Sequence, residues 1–270
     1  MPVCGVLGWP VRHSRSPAMH EAGYAALGLE GWRYQLLPVP PELFEETVRA
    51  LPGVGFLGAN VTIPHKQAAA ALAEEATDAV RAIGAANTLT FLPGGRIHAD
   101  NTDAPGLIDA LPFDPAGATA VVLGAGGSAR ATVWALVQAG AEVAVWNRTR
   151  ERAERLCAEI GGAVVDSLPR RADLLVNTTS VGLQSGQDPF KALPLHADAM
   201  DGYPCLVDLV YGSGPTALTS AARAAGATVV DGLEILVRQG ARSFERWTGR
   251  PAPLDVFRAA ARGRDATAAA

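Results

Sequence analysis

The 270-residue chain has very little lysine: only Lys66 and Lys191, against 21 arginines. Helix propensity separates lysine from arginine too weakly to explain an isolated lysine. A lysine amine can take up or release a proton near neutral pH, whereas a guanidinium cannot. Lys66 is therefore either a chance occurrence or a group that the protein needs for proton transfer.

Other residue types are scarce or scattered in ways that exclude several classes of protein. The three cysteines, Cys4, Cys157 and Cys205, are odd in number and far apart, which argues against a disulfide framework and favours a reducing compartment. The five histidines have no metal-ligand spacing with them, so no metal site is expected. The net charge is −4 and the arginines are not clustered, so we expect no nucleic-acid partner.

Long hydrophobic runs are also missing. The apolar region around residues 119 to 146 is interrupted by Arg130, Gln138 and Glu142, so it cannot span a membrane. The N-terminal "MPVCGVLGWPVRH" has no basic leader before its apolar residues, and it is not a typical signal peptide. We therefore expect a cytoplasmic protein without a membrane partner, and a C-terminal tail, "ARGRDATAAA", that frays.

Short β-branched runs alternate with helical patterns along most of the chain, which favours parallel α/β sheets. The strand-like runs are "VCGVLG", "WRYQLLPV", "GFLGANVTI", "ATAVVLG", "AEVAVW", "ADLLVNTT", "CLVDLVY" and "ATVVDG". One exception is "NTLTFLPGGRIHADN", where Gly94 and Gly95 predict a hairpin. The Pro/Gly-rich residues 111 to 118 predict that a second domain's first strand follows them, and a helix of about 15 residues from Gly232 could return to the first domain.

The segment "AVVLGAGGSARA" carries a dinucleotide-binding pattern between a predicted strand and a predicted helix. Gly124, Gly126 and Ala129 fit G-x-G-x-x-G/A, in which small residues let backbone N–H groups approach a pyrophosphate at a helix N-terminus. The following strand ends at Asn147, close to the distance at which NAD-binding sites place an acidic residue. The sequence there is "NRTRER", whose arginines and Thr149 suit a ribose 2′-phosphate, so the pattern favours NADP over NAD.

Polar residues that suit a small anionic or hydroxylated ligand occur in the first 103 residues. Ser16 is a natural N-cap with Pro17 at the first helical position, and Ser14 beside it could help to hold a carboxylate. Lys66 opens a helix, where its ammonium group faces the positive end of the dipole, a position that favours a functional role. Asn60 and Thr62 are two residues apart on a predicted strand, so their side chains should point to the same face. Asp103 is either an acid in the first turn of a helix or a partner for another group.

Nine motifs, in this order, resemble those of the shikimate dehydrogenase family over nearly the whole chain. They are "HSRSP", "NVTIPHK", "GAANTL", "DNTD", "GAGGSARA", "NRT", "VNTTSVGL", "DLVYGSGPTAL" and "GLEILVRQGARSFERWTG". The resemblance implies a two-domain α/β enzyme: an N-terminal α/β substrate domain and a Rossmann-type doubly wound parallel sheet, separated by a cleft. Residues 1–103, completed by helices in 239–270, would form the substrate domain, and residues 104–238 the NADP-binding domain.

The resemblance further implies reversible reduction of 3-dehydroshikimate to shikimate with NADPH, in aromatic amino acid biosynthesis, by a monomer or homodimer. Lys66 and Asp103 match the catalytic pair. The other residues that match substrate-binding positions are Ser14, Ser16, Thr62, Asn87, Tyr211 and Gln239. Those that match cofactor-binding positions are Gly124, Ala125, Gly126, Gly127, Ser128, Ala129, Asn147, Arg148, Thr149, Arg152, Leu209 and Gly232, with Asp78 at a weaker one.

Three other functions are compatible with parts of this pattern. A quinate/shikimate dehydrogenase would have the same fold with a pocket that accepts one more hydroxyl. A methylene-tetrahydrofolate dehydrogenase also combines a lysine-bearing domain with a Rossmann domain, but it does not explain Ser14, Ser16 or "RQGARSFERWTG". An NADP-sensing regulatory protein on the same two domains would bind cofactor without turnover.

Overall fold

The computed structural model describes residues 1–183, 187–212 and 214–263, and the chain divides into two compact units. Met1–Gly106 and the chain from Leu236 form the first unit, and Leu107–Ile235 forms the second. Both observed boundaries fall within helices, Asp103–Ala110 and Gly232–Thr248, which also contain the predicted boundaries at 103/104 and 238/239. Residues 264–270 of the predicted tail lie outside the described residues.

The first unit contains a mixed sheet in the order β2-β1-β3-β5-β6-β4. Its strands are β1 Val3–Gly8, β2 Arg33–Pro38, β3 Phe56–Val61, β4 Glu75–Ala76, β5 Thr88–Phe91 and β6 Ile97–Asp100. β1 pairs in parallel with β2 and β3, whereas β5 is antiparallel to β3 and β6. The predicted hairpin is confirmed as β5–β6, and its turn contains Gly94 and Gly95, both at positive φ.

The second unit contains a fully parallel sheet in the order β12-β11-β10-β7-β8-β9. Its strands are β7 Thr119–Leu123, β8 Glu142–Trp146, β9 Ala163–Val164, β10 Leu174–Asn177, β11 Cys205–Asp208 and β12 Thr228–Asp231. Counted from β7, this is the 3-2-1-4-5-6 order of a doubly wound dinucleotide-binding domain. The chain therefore reverses direction across the sheet between β7 and β10, where such domains bind their ligand.

Helices alternate with these strands, as the sequence pattern predicts. In chain order they are α1 Ser16–Ala26, α2 Phe44–Ala50, α3 Lys66–Leu72, α4 Asp78–Ile83, α5 Asp103–Ala110, α6 Gly127–Gln138, α7 Arg150–Ile160, α8 Pro189–Ala192, α9 Ala217–Ala224, α10 Gly232–Thr248 and α11 Leu254–Ala261. Short 3₁₀ helices occur at Pro41–Leu43, Leu51–Val54, Pro93–Gly95 and Ala197–Gly202. The sequence analysis missed only the two-residue strands β4 and β9 among the described strands, because two residues are too short to show a period.

An aromatic cluster in the first unit encloses His20 of α1. The His20 ring stacks on Tyr34 with centroids 4.2 Å apart, and the rings of Phe244, Trp247 and Phe257 lie within 6 Å. The His20 side chain is fully buried, and neither ring nitrogen has a hydrogen-bond partner among the described residues. Burial among apolar groups favours the neutral ring and lowers the pKa of His20 from 6.5 to about 3.

We expect His20 to make the protein less stable in acid. Between the ordinary pKa of 6.5 and the folded-state pKa of about 3, the unfolded chain binds a proton that the folded chain does not. Stability is therefore fully present above pH 6.5 and decreases as the pH falls, by about 1.4 kcal/mol per pH unit for this group. Urea unfolding at about pH 7 and about pH 5 measures this effect. From the higher to the lower pH, the free energy of unfolding of His20→Leu should decrease by about 2 kcal/mol less than that of the parent protein. The control is His196→Leu, at an exposed position, whose free energy of unfolding should decrease as much as that of the parent protein. A decrease in His20→Leu equal to that of the parent would contradict the prediction.

Candidate active site

The first unit brings Lys66 and Asp103 together although they are far apart in the sequence. Each is the first residue of a helix, α3 and α5 respectively. Lys66 Nζ lies 2.6 Å from Asp103 Oδ2, and the two side chains are 12% and 16% exposed. The ion pair is thus largely shielded from water while a small part of it stays accessible to a ligand.

The start of α3 is held by His65, the residue before Lys66. The His65 ring stacks on Phe44 at a centroid distance of 4.4 Å, and its Nε2 donates a hydrogen bond to the Val39 carbonyl at 2.7 Å. Burial lowers the pKa of His65, against a smaller opposite effect of the Val39 hydrogen bond, so the ring is neutral near pH 7. His65 therefore positions Lys66 without adding a second positive charge beside it.

The Asn87 side chain connects Asp103 to α10. Its Oδ1 accepts a 2.7 Å hydrogen bond from the Thr102 backbone N–H, which fixes the orientation of the amide. Its Nδ2 consequently faces acceptors, donating to Asp103 Oδ1 at 2.8 Å and to Gln239 Oε1 at 3.1 Å. Lys66, Asn87, Asp103 and Gln239, all predicted site residues, form one continuous polar cluster in this unit.

Each residue of "DNTD" has a separate part in building this cluster. Asp100 forms an ion pair with Arg246 of α10, and Asn101 Oδ1 accepts a hydrogen bond from the Ala104 N–H in the first turn of α5. Thr102 orients Asn87, and Asp103 binds Lys66. The sequence analysis did not assign Thr102 or Asn101, although a run of four polar residues next to an apolar strand is a usable signal.

The Ser14–Ser16 pair also lies in the first unit, but Ser16 is not the helix cap that the sequence predicts. Helix α1 begins at Ser16 itself, because Arg15 already has helical φ and ψ and takes the N-cap position. Ser14 Oγ donates instead to Ser16 Oγ, 3.2 Å away, and accepts from the Ser16 N–H. Ser14 Oγ thus accepts the first N–H of α1, and the two hydroxyls lie side by side at the helix N-terminus, where Ser14 is half-buried and Ser16 is buried.

Thr62 follows β3 directly and contacts the end of β1, the strand that precedes these serines. Its backbone N–H donates to the Leu7 carbonyl at 2.8 Å. A Cβ at Gly8 would lie 2.5 Å from the Thr62 Cγ2 methyl, so the close approach requires glycine at this position. Asp78, at the start of α4 in the same unit, forms an ion pair with exposed Arg81.

In the second unit, the turn after β7 has the backbone that a dinucleotide needs. Gly124 has φ of 113°, and a Cβ there would lie 2.6 Å from Thr178 Oγ1. A Cβ at Gly126 would meet nothing within 4 Å, so the space in front of α6 is open. The N-cap of α6 is Gly126, which makes no side-chain hydrogen bond to the helix, and a helix N-terminus favours an anion. The residues at 124–129 therefore fit a pyrophosphate.

The arginines after β8 differ in their availability for a phosphate. Arg150 forms ion pairs with Glu154 and Asp166, so it is already engaged by two carboxylates. Arg148 and Arg152 are exposed and form no ion pair within the described part of the chain. Asn147 Nδ2 donates to the Thr149 carbonyl at 2.8 Å and shapes this turn. Arg148 and Arg152 fit a 2′-phosphate, whereas Arg150 does not.

The carboxyl ends of β11 and β12 bring Leu209 and Gly232 together. A Cβ at Gly232 would lie 2.6 Å from the Leu209 carbonyl oxygen. Tyr211 follows in the same unit and is half-buried. Asp208, which precedes Leu209, is fully buried, and the sequence analysis did not assign it. An acid inside the apolar run "CLVDLVY" was the signal that could have found it.

The described residues contain neither a group of side chains placed to hold a metal ion nor a helix able to cross a membrane. Residues 1–183, 187–212 and 214–263 contain no group of three or more His, Cys, Asp or Glu side chains placed to hold a metal ion. Within the same residues no helix has the length and apolar character needed to cross a membrane.

A doubly wound sheet with a glycine-rich first turn, on a chain that also carries a lysine–carboxylate pair, defines a dinucleotide-dependent oxidoreductase. Three family models match the chain: the shikimate dehydrogenase substrate binding domain at residues 6–89, shikimate / quinate 5-dehydrogenase at 110–181, and the shikimate 5′-dehydrogenase C-terminal domain at 232–262. The chain belongs to the shikimate dehydrogenase family.

Individual relatives agree with this assignment. A shikimate dehydrogenase (NADP(+)) of Paracoccus denitrificans is 45% identical over 94% of this chain and 93% of its own. The crystal structure of Thermus thermophilus shikimate 5-dehydrogenase in complex with NADP(H) and shikimate is 40% identical, with a TM-score of 0.85 over 97% of this chain and 99% of its own. A 5-ketofructose reductase of Gluconobacter has a TM-score of 0.83 at 30% identity, over 97% of this chain and 98% of its own. The fold thus also carries a reductase named for a different ketone.

Proposed function

We propose that this protein catalyses the reversible, NADPH-dependent reduction of 3-dehydroshikimate to shikimate in aromatic amino acid biosynthesis. The observation that carries the proposal is the 2.6 Å Lys66–Asp103 pair, connected through Asn87 to Gln239. Relatives named for this reaction at 45% identity support the choice of substrate and cofactor. A ketone reduction needs a hydride, which NADPH supplies when bound, and a proton, which the protein must supply.

Lys66 is the proton donor in this proposal. Its Nζ would donate to the ketone oxygen, stabilise the negative charge that develops there, and accept the proton back during alcohol oxidation. Asp103 holds the ammonium in place through Oδ2. The Asn87 hydrogen bond to Oδ1 keeps the carboxylate from rotating away. The pair therefore delivers a proton at one fixed position.

The same cluster presents acceptors to the substrate's hydroxyl groups. Asn87 Nδ2 is already donating, and Gln239 Nε2 donates to the Leu236 carbonyl at 2.9 Å. The carboxylate oxygens of Asp103 and Oε1 of Gln239 retain further lone pairs, so ring hydroxyls would bind them as donors. We assign the substrate carboxylate to Ser14 and Ser16, with Thr62 and Tyr211 as further hydroxyl partners. A site of this kind selects a hydroxylated ring acid, because an apolar analogue would leave its acceptors unpaired.

We assign NADP(H) binding to residues 124–129 for the pyrophosphate, and to Asn147, Arg148, Thr149 and Arg152 for the 2′-phosphate. Leu209 and Gly232 would contact the nicotinamide half. The glycine N-cap of α6 supports this assignment, as do Arg148 and Arg152, which form no ion pair with a carboxylate among the described residues. The absence of an acid after β8 supports NADP over NAD.

We expect Arg148→Ala to raise the KM for NADPH about tenfold, because one charge-assisted contact to the 2′-phosphate is lost. The KM for NADH should change little, since NADH has no phosphate there. Arg150→Ala is the matched control: Arg150 is two residues away and already paired with Glu154 and Asp166, so NADPH kinetics should be retained. Equal effects of the two changes in initial-rate assays would remove Arg148 from the phosphate site.

The proposed function is tested by initial rates of oxidation of shikimate and of quinate, each with NADP⁺ and with NAD⁺. We expect turnover of shikimate with NADP⁺ and little with the other combinations. Turnover of quinate at a similar rate would identify the quinate/shikimate enzyme instead, a possibility that the family description at residues 110–181 supports. NADP⁺ binding without turnover of either substrate would point to the sensing protein.

We further propose that the protein works in the cytoplasm as a monomer or homodimer, without nucleic-acid or membrane partners. The acidic net charge of −4 supports the absence of a nucleic-acid partner. Light scattering after size-exclusion chromatography distinguishes the two oligomeric states, and a larger assembly would contradict both.

A further inference from the structure

We propose that the buried Asp208 carboxylate makes the cofactor site favour the oxidised, positively charged nicotinamide over the reduced, neutral one. The inference rests on the proposed NADP(H) binding, and it concerns a residue to which neither the family resemblance nor the sequence analysis gives a role.

Asp208 is held as a carboxylate by donors alone. Oδ1 accepts from Asn177 Nδ2 at 2.9 Å and from the Val210 N–H at 3.2 Å, and Oδ2 accepts from Thr216 Oγ1 at 2.7 Å. The Thr216 hydroxyl itself accepts from the Thr219 N–H at 3.0 Å, so its own hydrogen is directed at Asp208. Burial is the largest influence and raises the pKa of Asp208, and the three donors, which stabilise the ionised form, reduce that rise.

The charge of Asp208 is not matched by a cation. Its side chain is fully buried, and no lysine or arginine among the described residues forms an ion pair with it. A buried charge that is paired only with neutral donors is unfavourable for folding, so a functional reason for retaining it is needed. Water does not screen such a charge, and its effect therefore extends to groups nearby.

The strand order places Asp208 in the half of the sheet that would bind the nicotinamide. In this fold each half of the sheet binds one nucleotide, and the pyrophosphate crosses at the point where the strand order reverses. The glycine turn after β7 and the arginines after β8 take the phosphates and the adenosine. The other half of the sheet, β10 to β12, then takes the nicotinamide, and Asp208 is the last residue of β11.

Asp231, at the end of β12, is the other acid at this edge, but it is less suited to the role. It is only half-buried, and its Oδ1 accepts the Glu234 N–H at 2.9 Å in the first turn of α10. Only the oxidised nicotinamide carries a positive charge. The fully buried carboxylate therefore attracts NADP⁺ more than NADPH, and removing its charge should change their relative affinities.

The test compares NADP⁺ and NADPH binding to Asp208→Asn and to the parent protein, by NADPH fluorescence and by displacement with NADP⁺. We expect NADP⁺ to lose about fivefold in affinity relative to NADPH. Thr216→Val, which removes the hydrogen bond to Asp208 and the cap that accepts the Thr219 N–H but no charge, should leave the ratio unchanged. The affinity for 2′-phospho-ADP-ribose, which lacks the nicotinamide, should be the same in all three proteins if the domain is intact.

A charge swap provides the rescue. In Asn177→Asp/Asp208→Asn the two side chains can keep their hydrogen bond while the charge moves to the end of β10, and the NADP⁺ preference should return. If Asp208→Asn does not fold, Asp208→Ser, which is also neutral and can still accept from Val210, carries the same prediction. Equal weakening of NADP⁺, NADPH and 2′-phospho-ADP-ribose, or an unchanged ratio, would overturn the proposal. Failure of the parent protein to bind either dinucleotide would instead overturn the proposed function.

Discussion

Replacing Lys66 by alanine should lower kcat for shikimate oxidation by about 10² or more, with a smaller effect on KM. The amine is the only proton-transfer group among the cluster's Lys66, Asn87, Asp103 and Gln239 that can carry positive charge, and the carboxylate it leaves behind cannot stabilise a developing alkoxide. The Asp103 carboxylate keeps its hydrogen bond from Asn87, so the fold around it should persist. Steady-state kinetics with NADP⁺, together with circular dichroism and NADPH titration, separate loss of chemistry from loss of structure.

Two companion variants sharpen this result. Lys191→Ala removes the chain's other lysine, which is 86% exposed, and it should behave like the parent protein. Lys66→Arg keeps the charge but cannot release a proton near neutral pH. If Lys66→Arg is as inactive as Lys66→Ala, the residue transfers a proton, and if it retains most activity, the residue acts as a fixed charge. Near-parental kcat in Lys66→Ala would exclude both roles.

Asp103→Asn should also lower kcat by about 10², although the side chain changes by one atom. The carboxylate uses one oxygen for Lys66 Nζ and the other for Asn87 Nδ2, and both of these groups are donors. An amide has one acceptor oxygen, so its NH₂ group must face either the ammonium or the Asn87 amide. We expect Lys66 to lose its fixed position, and kcat to fall more than the affinity for NADPH.

The exposed Asp109 on the same helix offers the control for this change. Asp109→Asn alters the charge of α5 equally but lies away from the first turn, and it should leave kcat unchanged. A rate profile against pH adds a second readout, because a displaced lysine should alter the pH at which activity is half-maximal. Parental kcat in Asp103→Asn would mean that the carboxylate is only a helix-end acid.

Most of the fold follows from local pattern. The β-branched runs, the glycine turns and the helix starts at Lys66 and Asp103 are set by residues within a few positions of each other. Ser16 is instructive because the prediction was wrong: local preference assigns it the N-cap, but Arg15 takes the N-cap position and Ser14 Oγ forms a hydrogen bond with Ser16. Which residue takes the N-cap depends on the backbone conformation at the start of the helix, and sequence alone does not show that.

The candidate site depended on longer-range information. No local pattern connects Asn87 with Gln239, because the whole second unit lies between them in the sequence. The resemblance to a family supplied these residues, whereas the structure supplied the reason that Asn87 faces the acceptors, namely the Thr102 N–H. Asp208 was missed because a single acid in an apolar strand gives no period, although its place in the apolar run was a usable signal and its burial marks it in the structure.

The order in which the first unit is assembled has a consequence for the synthesis of the protein. Its β-strands are complete by Asp100, but α10 and α11, which supply Phe244 and Phe257 around His20, are made after the second unit. During translation the N-terminal part of the first unit therefore lacks α10 and α11, and an apolar face of α1 stays uncovered until more than half the chain has emerged. A ribosome that stops at Gly106 would therefore release an aggregation-prone fragment, whereas the inserted segment Leu107–Ile235 carries its own complete sheet and can fold while the ribosome is still at work.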